Sequence, residues 1–254
     1  MDLSHAALLA VAGLAAGTVN AVAGGGSLIT FPALLAVGLQ PVPANVTNSV
    51  AVCPGYLASV FGSRMDLEGQ RRRTAQLLPT AVVGAVAGCL LLLRTPARTF
   101  ELLVPFLVLG ATGILAFQDR LRGVVGHPAD LSPTRQRVAL HAMVAAGSVY
   151  GGYFGAALGV MFVAALALVL DETLQRVSAV KNVLSAVVGL TTVVVFALAG
   201  PVDWAAVGVL APATLVGGYA GAKLVRRLRP AALKAVIVTF GTVIGVLLLV
   251  RAFR

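Results

Sequence analysis

Residues 17–32 read GTVNAVAGGGSLITFP, an apolar stretch cut by three glycines in a row. Glycine inside a helix costs about 1 kcal/mol relative to alanine, so the apolar region from Leu3 to Leu39 is expected to break at Gly24, Gly25 and Gly26. It then restarts as a half-helix from Ser27 to Val37. A restarting helix presents unpaired N–H groups and the positive end of its dipole, which favours an anion. The pattern returns at residues 147–159, GSVYGGYFGAALG. Gly13, Gly17 and Gly25 recur as Gly147, Gly151 and Gly159, and Asn48 as Asn182, all 134 positions later. Pro79, Gly84 and Gly88 recur as Pro212, Gly217 and Gly221, each 133 later. A constant offset slipping by one residue is what an old duplication leaves. The second copy carries a milder break around Gly151-Gly152 and Gly155-Ala156-Ala157, and spacing places its turn only loosely.

Composition sets the medium. Apolar residues make up 59% of the chain, charged residues 11%, and the mean hydropathy is +0.96. Soluble domains sit near a quarter charged. Strand-type alternation is absent, and a bilayer admits only helices or closed barrels. Six simple spans are expected: Ala44 to Ser63, Thr74 to Leu93, Phe100 to Phe117, Val177 to Ala199, Trp204 to Leu224 and Ala231 to Arg251. The regions from Leu3 to Leu39 and from Val138 to Leu170 are too long for one span. Each is read as a re-entrant pair of short helices, standing first in its repeat. The fold class is thus an all-α polytopic membrane protein of two inverted repeats. Residues 1–117 form the first, 118–136 a cytoplasmic connector and 137–254 the second.

Charge assigns the sides. The net charge is +10, yet the bases lie in short links between apolar segments, which is topology control and not a nucleic-acid surface. Arg64, Arg71, Arg72 and Arg73 precede one span. Arg120, Arg122, Arg135 and Arg137 flank the connector. Arg176 and Lys181 precede another span, and Lys223, Arg226, Arg227, Arg229 and Lys234 cluster near the end. Arg94, Arg98, Arg251 and Arg254 remain for the opposite side. By the positive-inside rule the first set is cytoplasmic and the N-terminus lies outside. The first residues show no cleavable signal peptide. The link after the Asn48 span is strongly basic, while its counterpart, Gly200-Pro201-Val202-Asp203, has no base. Equivalent links on opposite sides mean inverted halves, the arrangement of alternating-access carriers.

Polar residues at span starts mark candidate ligands: Asn45, Thr47, Asn48 and Ser49 in one copy, Ser178, Lys181, Asn182 and Ser185 in the other. Asn20 precedes the first break and Ser27 follows it. The expected substrate site comprises Asn20, Gly24, Gly25, Gly26, Ser27, Thr47, Asn48, Gly151, Gly155, Lys181 and Asn182. For most of the glycines the competing role is close helix packing. For Lys181 it is an interfacial anchor. All nine acids fall in links or at span ends, and cation carriers and proton relays place carboxylates deep, so an anion is favoured. No zinc pattern, nucleophile elbow, phosphate-binding loop or Cys-x-x-Cys occurs. No cofactor or metal is expected. Cys53 and Cys89 read as packing residues. A Ser148–His141 pair is the sole hint of an intramembrane hydrolase.

At these residues the chain resembles the sulfite exporter TauE/SafE family, also called the 4-toluene sulfonate uptake permease family. The resemblance rests on residues 17–32, on Ala44-Asn45 with Thr47-Asn48-Ser49, and on Gly151-Gly152-Tyr153-Phe154-Gly155 with Val180-Lys181-Asn182, and it spans essentially the whole chain. It implies a multi-pass carrier of the bacterial inner membrane for sulfite, sulfonates or related organic anions, with the paired motifs around the substrate path. The second copy departs from a full glycine run. The expectation is a secondary transporter with a small anion and the lipid bilayer as partners. A passive anion channel is the alternative, and a coupling ion and a homodimer are left open.

Overall fold

The computed structural model describes residues 2–22, 25–124, 132–167, 169–170, 172–224 and 230–252. Ten α-helices account for nearly all of them: α1 Leu3–Val22, α2 Ser27–Ala36, α3 Pro41–Gly62, α4 Arg71–Arg94, α5 Ala97–Val124, α6 Pro133–Tyr153, α7 Leu158–Ala167, α8 Leu174–Ala199, α9 Trp204–Leu224 and α10 Pro230–Ala252. A single 3-10 turn, Arg64–Leu67, joins α3 to α4. No strand occurs among the described residues. The chain is an all-helical membrane protein.

Local chemistry explains the helix ends. Pro41 and Pro133 sit at the first positions of α3 and α6, where a missing N–H costs nothing. The Ser132 and Thr173 hydroxyls accept from the Arg135 and Arg176 amides and cap α6 and α8. Helix α5 runs on to Val124, past the span end expected at Phe117, so helix enters the stretch read as connector. Four helices contain segments long and apolar enough to cross a bilayer alone: Leu3–Asn20, Arg71–Arg94, Ala97–Phe117 and Gln175–Ala199. Helix α3 has the length, at 22 residues, but carries Asn45, Thr47, Asn48 and Ser49, all buried. Apolar side chains such as Val83, Phe106 and Leu198 point outward instead, as expected where the solvent is lipid.

The two long apolar regions are hairpins of unequal helices. The first breaks before Ser27, where the Gly26 amide donates to Asn20 Oδ1 at 2.8 Å. The second breaks at Phe154–Ala157, the turn that spacing left loose. There Gly155 has φ +72° and Ala157 φ +56°. Gln136 Nε2 donates to the Val169 carbonyl at 2.7 Å, so α7 ends beside the start of α6.

Helices α1 to α5 pack on α6 to α10 in a reciprocal scheme. Helix α1 lies on α9, and α6 on α4. Helix α3 contacts α9, and α8 contacts α4. Helix α2 touches α10, and α7 touches α5. Helices α3 and α8 pair with each other, as do α5 and α10. Exchanging the two sets of five reproduces all these pairings. Two crossings are glycine-made. A Cβ on Gly17 would collide with the Thr214 carbonyl of α9, and one on Gly88 with the Val149 carbonyl of α6.

Hydrogen bonds fix the directions of α3 and α8. Arg176 Nη2 donates to the Glu68 carbonyl at 2.9 Å, and Gln70 Nε2 to the Arg176 carbonyl at 3.3 Å. The link after α3 therefore lies beside the start of α8. The Asp203 amide donates to Thr47 Oγ1 at 2.9 Å, placing the turn after α8 beside the start of α3. The two helices run antiparallel, and the links following them sit at opposite ends of the bundle. The end that carries Arg64, Arg71, Arg72, Arg73 and Arg176 is called the basic end below.

Candidate functional site

Both broken regions aim a helix start at one small cavity. Helix α2 begins at Ser27 and α7 at Leu158, and both residues line it, with Ser49, Val52 and Tyr56 from α3. Gly151, Phe154 and Gly155 come from the end of α6, and Val188, Gly189 and Thr192 from α8. Its volume is about 10 Å³, room for a single water molecule. The wall carries hydroxyls and no charge. The Tyr56 phenol and the Ser27 side chain share this wall. Of the amides around the first break, those of Gly26, Leu28, Ile29 and Thr30 are engaged, by Asn20 Oδ1 and by the Gly25 and Gly26 carbonyls. The Ser27 amide has no backbone partner among the described residues. Two helix N-termini and uncharged hydroxyls form an acid-free pocket whose donors can serve an oxyanion, with the end of α6 on the same wall opposing their dipoles.

The cavity interrupts a polar seam between α3 and α8. Asn45, Ser49, Tyr56, Ser59 and Ser63 fall within one face of α3 at helical spacing, and Lys181, Ser185, Val188 and Thr192 within one face of α8. Ser185 Oγ and Asn45 Oδ1 are buried without a hydrogen-bond partner. Lys181 is 6% exposed, and none of the described residues offers it an ion-pair or hydrogen-bond partner. It stands two turns from the cavity, towards the basic end. On the far side the cavity is backed by aromatic rings. Phe154 packs edge-on against Phe31 at 5.4 Å, Phe100 at 6.3 Å and Tyr150 at 6.4 Å.

The expected site residues divide into three groups. Ser27, Gly151 and Gly155 lie on the cavity wall. Asn20, Gly25, Gly26 and Asn48 hold the first half-helix in place. A Cβ at Gly26 would strike the Ala16 carbonyl of α1, and Asn48 Oδ1 accepts a short hydrogen bond from Thr30 Oγ1 of α2. Thr47, Lys181 and Asn182 lie off the wall. Thr47 holds Asp203, and Asn182 Nδ2 donates to Ser63 Oγ at 2.9 Å and to the Ser59 carbonyl at 3.3 Å. Gly24 falls outside the described residues. The two matched asparagines therefore have different partners. Tyr56, Thr192 and Thr30 escaped sequence reasoning. They recur at helical spacing along polar faces, a signal hidden among many membrane-embedded hydroxyls.

The Ser148–His141 pair does not hydrogen-bond. His141 Nδ1 bonds Thr80 Oγ1 at 2.7 Å, and Ser148 Oγ is buried without a partner. Among the described residues no three His, Cys, Asp or Glu side chains group as metal ligands, and both cysteines are free and buried.

Residues 9–248 match the family model described as sulfite exporter TauE/SafE. The "Probable membrane transporter protein YfcA" of Escherichia coli (strain K12) is 30% identical over 226 residues, covering 84% of this chain and 76% of that protein. A "Probable membrane transporter protein" of Haemophilus influenzae is 27% identical over 223 residues, covering 86% of this chain and 84% of its own. The "Probable membrane transporter protein ORF9" of a Sinorhizobium species is 29% identical over 163 residues, covering 61% and 58%. No solved structure matches the chain. With the model match running through both hairpins and all of the helices between them, the chain belongs to the sulfite exporter TauE/SafE family.

Proposed function

We propose that this chain is a secondary carrier that moves a small sulfur-containing anion, sulfite or a sulfonate, by alternating access between two inverted halves. One observation carries the reading: the starts of α2 and α7 converge on one cavity whose polar wall is all hydroxyl and backbone. An oxyanion with several oxygens is well served by many weak donors together with two helix dipoles. The reciprocal helix pairings and the antiparallel run of α3 and α8 support the inverted arrangement. Lys181 lies on the seam leading in from the basic end and draws the anion there. The four hydroxyls assigned to the substrate are Ser27, Ser49, Tyr56 and Thr192; Ser49 and Thr192 donate to the Asn45 and Gly189 carbonyls in the closed cavity and turn from them to meet the anion, while Asn20, Asn48 and Gly26 position α2. The charge bias supports a carrier of the bacterial inner membrane with its basic end in the cytoplasm and its N-terminus outside. Membership of a transporter family speaks for transport and against catalysis.

The test is flux of labelled sulfite and sulfonates in proteoliposomes. Ser27→Ala, Tyr56→Phe and Thr192→Val each remove a donor to a charged guest, a loss of about 1.5–3 kcal/mol, so each is expected to slow transport about ten- to a hundredfold. Lys181→Ala, Asn48→Ala and Asn182→Ala are measured beside them. If the three wall variants are correctly folded and carry anions like the parent, the site is wrong. Large unitary currents in planar bilayers would convert the carrier into a channel.

A further inference from the structure

A second cavity opens at the basic end, between the starts of α4 and α6. Its volume is about 350 Å³, and Arg72, Arg73, Gln76, Gln136, Arg137 and His141 supply its polar wall. That is within the size range of ligand pockets, roughly 300–1,000 Å³.

The charge here is poorly compensated. Helix α4 opens with Arg71, Arg72 and Arg73, and α6 carries Arg135 and Arg137 near its start. Neither helix has an acid in its first turn. Cations at a helix N-terminus oppose the dipole instead of complementing it. Arg73 lies 3.7 Å from Glu172, but Glu172 also holds Arg176 at 2.7 Å. Among the described residues Arg72 and Arg137 have no ion-pair partner. Gln136 is tied through its Nε2 to the Val169 carbonyl, and the His141 ring is held through Nδ1 by Thr80. The arrangement is a cationic cup with arginines from both helices on its wall, a donor set that can grip a tetrahedral oxyanion two oxygens at a time.

The surroundings indicate what carries that anion. Gln76, Val83 and Leu90 follow at seven-residue spacing along one face of α4, and Val83 and Leu90 are exposed large apolar side chains. Val138 of α6, next to Arg137, is exposed as well. The cup thus sits at the head of an apolar strip facing lipid. A free anion gains nothing from such a strip, whereas an acyl chain does. We propose that this cavity binds the phosphate of an anionic phospholipid in the surrounding leaflet, with its acyl chain along Val83 and Leu90. Basic pockets between spanning helices on the cytoplasmic side are a recurrent form of headgroup recognition. The inference does not depend on what the central cavity carries.

Native mass spectrometry of the full chain, released from detergent with phosphatidylglycerol or phosphatidylcholine, tests it directly. The parent is expected to retain one phosphatidylglycerol and to prefer it to phosphatidylcholine. Arg72→Gln with Arg137→Gln is expected to weaken retention by about tenfold or more, since two charge-assisted pairs are lost. Arg64→Gln with Arg71→Gln, which removes equal charge from the same end but outside the cup, is expected to leave it within about twofold. Should the first pair fold poorly, Arg72→Lys with Arg137→Lys keeps the charge and loses the forks, and is expected to weaken retention severalfold. Equal losses in the cup and control pairs, or no loss in either, would overturn a built site. Displacement of the lipid by inorganic phosphate at equal concentration would overturn the lipid source and give the cup to a soluble anion.

Discussion

Two residues at the second break, on either side of Ala156, hold left-handed backbone beside the cavity. Gly155, at φ +72°, does so without penalty, whereas Ala157, at φ +56°, does so against its own Cβ. An L-residue with a side chain gives up about 1–2 kcal/mol in that region. Ala157→Gly is therefore expected to raise thermal stability in detergent by about 1 kcal/mol. Gly155→Ala is expected to lower it by about 1–2 kcal/mol, and the Gly151 carbonyl, 3.0 Å from the added Cβ, tightens the site further. A reversed order in the two melting curves would mean that the turn is held by something other than backbone conformation. The glycine motif itself was legible in the sequence, and so was its echo of the first break. The conformation was not, because the first break keeps Gly26 in the right-handed region and uses glycine for close approach to α1. Two copies of one motif serve two different physical ends. Asn48 and Asn182 teach the same lesson. Their matched positions were visible, but whether an amide meets Thr30 or Ser63 depends on which helix the fold brings alongside.

Glycine spacing of four announces a helix face that another backbone can approach, and the sequence shows such faces on the first helix of each half. It does not show what they face. In the structure α1 crosses α9 and α6 crosses α4, so the first helix of each half rests on the fourth helix of the other. Both crossings are tight enough that a single methyl group has nowhere to go: Gly17 abuts the Thr214 carbonyl and Gly88 the Val149 carbonyl. Backbone cannot yield as a side chain would. Gly17→Ala and Gly88→Ala are expected to cost about 1–3 kcal/mol each through overpacking. Gly110, within α5, has open space where its Cβ would stand, so Gly110→Ala is expected to gain up to about 1 kcal/mol from helix propensity alone. Thermal unfolding of the three variants in one detergent checks the contrast. If Gly17→Ala and Gly110→Ala shift stability in the same direction, the crossings are not backbone contacts. The half-helices follow the same logic. Ten residues of α2 and ten of α7 are too short to span, and their reason to exist is where they begin.

A cavity with room for one water cannot hold a sulfonate, so the proposed carrier stands closed around its centre in this conformation. Opening it requires the walls to part, and the walls come from both halves: Ser27, Ser49 and Tyr56 from the first, Phe154, Gly189 and Thr192 from the second. In the proposed rocking of one half against the other, one end of the α3–α8 seam widens as the other narrows, and the antiparallel run of the two helices puts the starts of α3 and α8 at opposite ends. Ser185 lies on the seam between the cavity and the basic end. Asn45 lies on its other limb, held to the Tyr153 carbonyl at 2.9 Å beside the aromatic rings. Each therefore reports on one mouth. With Cys53 and Cys89 replaced by alanine, Ser185→Cys is expected to react with a membrane-impermeant anionic thiol reagent only from the face that bears the Arg71 link. Asn45→Cys is expected to react only from the opposite face. Lys181→Gln is expected to slow the first reaction about tenfold or less for the anionic reagent and to leave a neutral one unchanged, the effect of one charge in a partly screened path. Under the proposed alternating access both mouths share one two-state motion, so saturating sulfonate that shifts the equilibrium is expected to raise one labelling rate as it lowers the other. Simultaneous labelling of both positions at undiminished rates, or parallel protection of both, describes a continuous pore and removes alternating access as the mechanism.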